Sequence, residues 1–150
     1  MIETWLKPDI LSSEVLAGRY TTFRKDRSSR RAGGVLIAVD SYFTSEHFTV
    51  QVQQELEFLC VKLILPAFAI FITCSYIPPS SDISIYEQHL SALTAVSSSL
   101  SDKDRMIVLG DFNLPGTVWS SVNESSILVP MSRHDFVDGL LDLSLSTFSL

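Results

Sequence analysis

Gly110-Asp111-Phe112-Asn113 closes the short apolar run at residues 106–109 and sets a carboxylate and a neutral amide two positions apart. Along an extended backbone, residues two apart share a face. Asp111 and Asn113 are therefore expected to point into one site while Phe112 packs behind them. Gly110, without a Cβ, lets a neighbouring group come close to the backbone. A carboxylate can take a proton from water or hold a cation, and an amide can bind a phosphate oxygen without repelling it. The pair suits phosphate chemistry. On spacing alone, an Asp/Asn turn after a strand accounts for the same four residues equally well.

The elements that must position this pair can be read from the pattern of apolar residues. Residues 2–6 read as the tail of a strand. Pro8 and Asp9 introduce a short helix over 10–17, with Gly18 as its stop. Residues 20–23 read as a strand, followed by a basic loop, and Gly33-Gly34 opens a buried strand at 35–39. Two further strands cover 55–65 and 68–76, and Pro78-Pro79 ends the second. Ser84 and Glu87 have capping-box spacing. Behind them Tyr86, Leu90, Leu93, Val96 and Leu100 recur at helical spacing. Residues 106–111 form a strand leading into the turn. Ser132 and Asp135 repeat the capping signature before Phe136, Leu140, Leu141 and Leu143, which predict a last helix. The mixture predicts a layered α/β sandwich rather than a helical bundle.

The chain has 150 residues, 46% of them hydrophobic and 19% charged, enough for one domain with a core. Residues 58–77 are nearly all apolar and match a bilayer span in length. Lys62 and Pro66 lie inside the stretch, and both are costly in a spanning helix. Two buried strands joined at a turn fit better, so no membrane association is expected. Cys60 and Cys74 sit in apolar runs and read as buried thiols in a reducing compartment. Residues 1–8 carry Glu3 and Lys7 with no apolar core, which argues against secretion and for a nuclear or cytoplasmic protein.

The net charge of −6 is unevenly spread. Arg19, Arg24, Lys25, Arg27, Arg30 and Arg31 are six of the eleven basic residues, with Asp26 the sole acid among them. Residues 19–31 thus carry +5 and the remainder −11. Such a run is commonly a solvated loop. It is also what a phosphate-contacting loop on an acidic enzyme looks like.

Gly-Asp-Phe-Asn after an apolar strand is similar to the catalytic strand of the endonuclease/exonuclease/phosphatase superfamily. Tyr76-Ile77-Pro78-Pro79 resembles the tyrosine-bearing strand end that precedes it there, and Glu3-Thr4-Trp5-Leu6 resembles the superfamily's glutamate segment. Residues 20–39, with Phe23-Arg24-Lys25-Asp26-Arg27 and then Gly33-Gly34-Val35-Leu36-Ile37-Ala38-Val39, resemble endonucleases of jockey-type non-LTR retrotransposons. Trp119-Ser120 also fits them. The pieces run in order from Glu3 to about Leu145, covering nearly the whole chain.

That resemblance implies a DNase I-like fold, a two-sheet β-sandwich flanked by helices. Residues 1–150 would be one incomplete domain lacking a first strand and a C-terminal Ser-Asp-His segment. Glu3 would bind magnesium, or manganese in its place. Tyr76 would donate to an anionic phosphate oxygen or hold the site's network, Asp111 would orient or deprotonate water, and Asn113 would bind phosphate. Arg24, Lys25 and Arg27 would contact DNA. The implied reaction is metal-assisted phosphodiester hydrolysis that nicks target DNA ahead of reverse transcription. His47, His89 and His134 do not stand where the superfamily's catalytic histidine would. They read as a loop residue and two polar members of helix faces. With that histidine missing, feeble activity is expected of the chain alone. Two other readings remain open: a non-catalytic relic or nucleic-acid- or partner-binding module, and a phosphatase or lipid phosphodiesterase of the same superfamily.

Overall fold

A computed structural model describes residues 1–16, 18–27, 33–52, 56–113, 118–122 and 127–131. The helix expected over residues 136–143, its cap at Ser132, and His134, Arg30 and Arg31 lie outside these residues.

The apolar stretch at 58–77 folds as two strands, β4 (Glu57–Ile64) and β5 (Ala69–Tyr76), paired antiparallel from Glu57 opposite Tyr76 to Ile64 opposite Ala69. Pro66 lies in the bend between them, where its missing N–H costs no ladder bond. Among the described residues no helix is long and apolar enough to cross a membrane. β4 reads as a continuous apolar run because it is covered on both faces. On one face Phe58, Cys60, Ala69, Phe71 and Met106 pack under Ala92, Leu93 and Val96 of helix α2 (Ile83–Ser97). On the other, Leu59, Val61, Cys74 and Tyr76 meet Val35, Ile37 and Val39. Those last three belong to a hairpin of β1 (Tyr20–Lys25) and β2 (Val35–Asp40). The result is the expected layered sandwich, two sheets face to face with a helix outside.

The larger sheet runs β3 (Thr44–His47), β4, β5, β6 (Arg105–Asp111). β3 was not expected, because Thr-Ser-Glu-His carries no apolar alternation. It is held by antiparallel pairing to β4 and by Glu46 facing Lys62, 3.6 Å apart. His47, expected in a loop, is its last residue. β6 pairs parallel to β5, and α2 is the crossover between them. A third pairing, β7 (Val118–Val122) with β8 (Ile127–Met131), is an antiparallel hairpin absent from the expectation.

Two helix boundaries differ from the sequence reading. The first helix, α1, spans only Ser12–Val15 and buries no residue. With no apolar face docked, a longer helix there has nothing to offset its nucleation cost. In α2 the N-cap is Asp82, not Ser84. The Pro78–Ser81 turn, closed by the Ser81 hydroxyl donating to the Pro78 carbonyl at 2.7 Å, delivers the chain to a helical start two residues earlier. An aspartate at that position suits the helix dipole.

Candidate active site

The parallel pair β5–β6 places Tyr76 beside Asp111 as ladder partners, each the last residue of its strand. The fifteen residues of α2 measure roughly 22 Å, close to the length of the strands it connects, so the crossover returns the chain to the same edge. In open sheets with parallel strands, ligands bind beyond the carboxyl ends. The Ile77 N–H then donates to the Asp111 carbonyl at 2.9 Å and ties the two exits together.

Glu3 reaches this edge from the start of the chain. The expected strand at 2–6 is a single bridge, Ile2 to Val35, after which the backbone leaves the extended region. The terminal ammonium donates to the Leu36 carbonyl at 2.7 Å, and the Leu36 N–H to the Met1 carbonyl at 2.9 Å. Thr4 and Trp5 N–H groups donate to the carbonyls of Gly34 and Gly33 at 3.2 and 3.0 Å. Between these anchors Glu3 takes φ +51 and Trp5 φ +55, a region L-residues rarely occupy. Such strain persists where surrounding bonds over-determine it, and it concentrates at functional sites. Its consequence is that the Tyr76 hydroxyl donates to Glu3 Oε1 at 2.7 Å. This bond joins residue 3 to the sheet edge that carries Asp111.

Asn113 does not continue an extended strand. It has φ +42, its N–H donates to Asp111 Oδ1 at 3.3 Å, and its Nδ2 donates to the Ile77 carbonyl at 3.0 Å. The Tyr86 hydroxyl donates to the Asn113 carbonyl at 3.1 Å. The shared-face expectation is corrected to a turn in which the aspartate carboxylate folds back over the asparagine N–H. Asp111 and Asn113 are nevertheless adjacent. Phe112 packs behind them, as expected, against Ile77, Tyr86 and the His89 ring at 5.2 Å. Gly110 provides the close approach predicted for it. A Cβ there would stand 2.5 Å from the Phe112 ring and 2.8 Å from the Ser75 carbonyl.

The hydrogen bond to Glu3, together with burial and the charges of Glu3, Asp111 and Glu57, pushes the Tyr76 phenol up to about 12. Tyr76 is therefore a protonated donor at neutral pH. Among the described residues no three His, Cys, Asp or Glu side chains converge as a ready-made metal cage. Magnesium is commonly held by one or two carboxylates and keeps several of its waters. The hard carboxylate oxygens of Glu3, held by the Tyr76 hydroxyl, fit that kind of ion.

The basic residues are placed differently from the expected solvated loop. Arg24 and Lys25 are the final residues of β1. Arg24 pairs with Asp26 at 3.0 Å and donates to the Lys7 carbonyl at 3.2 Å. Lys25 Nζ donates to the Leu56 carbonyl at 2.9 Å, and burial pulls its ammonium below the usual lysine range. Arg27 pairs with buried Glu57 at 2.9 Å.

Two buried polar residues stand beside the site in places the sequence reading did not give them. His89, read as a polar member of a helix face, is fully buried between α2 and the sheet, with Nε2 2.8 Å from Ser75 Oγ and burial pushing its imidazole down to about 4. Glu57, buried directly opposite Tyr76 in the β4–β5 ladder, is the second. Its signal in the sequence was the second of two carboxylates, Glu55 and Glu57, at the head of an apolar strand. Cys60 and Cys74 are buried and free, as expected.

A family model described as endonuclease-reverse transcriptase matches residues 70–150, which include Tyr76, Asp111 and Asn113. No curated protein matches the chain. Among solved structures, the endonuclease domain of TRAS1, a telomere-specific non-LTR retrotransposon, superposes with a TM-score of 0.54 at 13% identity, over 85% of this chain and 52% of that one. The chain thus spans about half the length of that domain. Humanized D. rerio TDP2 carrying 14 mutations matches with a TM-score of 0.44 at 15% identity, over 69% of this chain and 44% of that one. At these identities the likeness to TRAS1 bears on the fold, which is of the DNase I-like kind.

Proposed function

Because the chain belongs to the endonuclease-reverse transcriptase family, we propose that its Glu3–Tyr76–Asp111–Asn113 corner hydrolyses phosphodiester bonds in DNA, with magnesium, or manganese in its place, as the cation. The observation that carries this reading is the 2.7 Å hydrogen bond from Tyr76 to Glu3, made beside the ladder partner Asp111. It gathers three of the four side chains from distant parts of the sequence at one sheet edge.

In this reading Glu3 would hold the cation, which when bound would supply positive charge against the negative charge that builds on phosphoryl and leaving oxygens. Tyr76 keeps its proton and fixes the orientation of the Glu3 carboxylate. Asp111 accepts a proton from, or orients, the attacking water. Asn113 uses one amide N–H on the Ile77 carbonyl, and a primary amide has a second with which to meet a phosphate oxygen. The ion pairs of Arg24 and Arg27 and the Lys25 hydrogen bond favour a role for these cations inside the fold over direct phosphate contact. An enzyme acting in this way on DNA would work in the nucleus or cytoplasm.

The test is plasmid nicking by the purified chain with and without magnesium, alongside Asp111→Ala. Nicking that needs magnesium and drops by at least 10²-fold in the variant is expected. Nicking that survives Asp111→Ala would contradict the assignment. Hydrolysis of a phospholipid in place of plasmid would move the substrate to the lipid phosphodiesterase class. Salt-sensitive DNA binding that needs no magnesium, without nicking, would favour a binding module.

A further inference from the structure

We propose that Glu57 and Arg27 are positioning residues that hold Glu3 in its metal-binding geometry. The inference rests on the functional reading above, in which Glu3 takes a divalent cation.

Glu57 opens β4 opposite Tyr76 and is buried, with a partner at each of its two carboxylate oxygens. Arg27 Nε stands 2.9 Å from Oε1, and the Gly34 N–H donates to Oε2 in a short hydrogen bond. The notch that admits the carboxylate exists because residue 33 is a glycine, while the bare Cα of Gly34 makes room for the Thr4 side chain. Gly33 has φ +94 and Gly34 φ +86, and a Cβ on Gly33 would lie 2.7 Å from both carboxylate oxygens. Any other residue at position 33 would displace Glu57.

The peptide joining Gly33 to Gly34 makes the connection to the site. Its N–H points to Glu57, while its carbonyl, on the opposite edge of the same trans amide, accepts the Trp5 N–H at 3.0 Å. The next carbonyl, Gly34, accepts the Thr4 N–H at 3.2 Å. Glu57 therefore orients the amide that anchors the chain immediately after Glu3, and hydrogen bonds in such a series reinforce one another. A buried ion pair adds little stability over well-packed apolar residues of the same volume, while removal of one partner is costly. A role in specifying one conformation explains the pair better than stability does. The conformation specified is the one that presents Glu3, at φ +51, to the Tyr76 hydroxyl.

Binding of manganese to the full chain, followed by electron paramagnetic resonance, tests this without reliance on turnover. Wild type, Glu3→Gln, Glu57→Gln, Arg27→Gln and Arg27→Lys would be compared. Val96→Ala, in the core under α2 on the opposite face of the sheet, serves as a purely destabilising control. Groups that orient metal ligands typically contribute 10–100-fold to affinity. Glu57→Gln is expected to weaken manganese binding about tenfold or more, and Arg27→Gln to weaken it by less. Arg27→Lys should recover most of the loss, and Val96→Ala should bind as wild type. Should Glu57→Gln prove too unstable to purify, the two Arg27 variants, altered at a more exposed partner, carry the test. Wild-type affinity in folded Glu57→Gln and Arg27→Gln, with binding lost in Glu3→Gln, would overturn the positioning role and leave the metal site intact. Wild-type affinity in Glu3→Gln would instead overturn the functional reading on which the proposal stands.

Discussion

At the residue scale, Tyr76 is the junction of the proposed site, and its value there lies in a proton it does not release. The hydroxyl is held protonated by Glu3, burial and two further carboxylates, so it acts as a donor across the working pH range. Tyr76→Phe keeps the ring in the core between the sheets and removes only that donor. Nicking is expected to fall on the order of 10²-fold, as when one preorganised donor is deleted from a site, with an unchanged thermal midpoint. Kinetics and calorimetry on the same preparation check both halves. His89 makes a different kind of prediction. Its folded-state value, pushed to about 4 by burial, lies below that of the unfolded chain, so the unfolded state binds the extra proton first. The neutral imidazole's contribution is complete above about pH 6.5 and is lost as pH falls towards 4, on the order of 3 kcal/mol in all. Urea unfolding of wild type and His89→Gln across that window should show a slope that the variant lacks.

At the element scale, the unit that matters is β5–α2–β6, since it alone brings Tyr76 and Asp111 together. Its strands and helix were legible in the sequence because each carries a strong apolar signal: β5 opens with the apolar run Ala69–Ile72, and Tyr86, Leu93 and Val96 mark one face of α2. Leu93 is fully buried in the core between helix and sheet. Leu93→Ala is expected to cost about 2–5 kcal/mol of stability, read from the shift in the urea midpoint. Activity per folded molecule should be retained. The elements that escaped the sequence are those held by pairing alone. β3 is polar and leans on β4, and α1 shrinks to one turn because it buries nothing. The turn expected after residue 111 forms at Asn113, and the shared-face reading of Asp111 and Asn113 gives way because the Ile77 carbonyl and Tyr86 hydroxyl fold the chain back at once.

At the scale of the whole molecule, two sheets pack face to face and α2 covers one outer side, so β4 and β5 are buried twice over. That explains how residues 58–77 imitate a membrane span in composition while forming a hairpin in the core. Order along the chain suggested grouping Glu3, Tyr76 and Asp111, and the fold brings the three to one sheet edge. The backbone kink that lets Glu3 reach Tyr76, and the Glu57 notch that fixes it, depend on contacts between segments more than twenty residues apart. No local pattern records them. On β6, Ile107 and Leu109 alternate with the buried Met106 and the partly buried Val108, the pattern of a strand with one face on the α2 core.

The central claim is that Glu3 serves the cation while Asp111 serves the water. The most direct measurement is the magnesium dependence of plasmid nicking for wild type, Glu3→Gln and Asp111→Asn. Glu3→Gln should raise the magnesium concentration needed for half-maximal rate at least tenfold. Asp111→Asn should leave that concentration near wild type while lowering the saturated rate by about 10²-fold or more. A Glu3→Gln variant that nicks DNA with wild-type magnesium dependence would contradict the account.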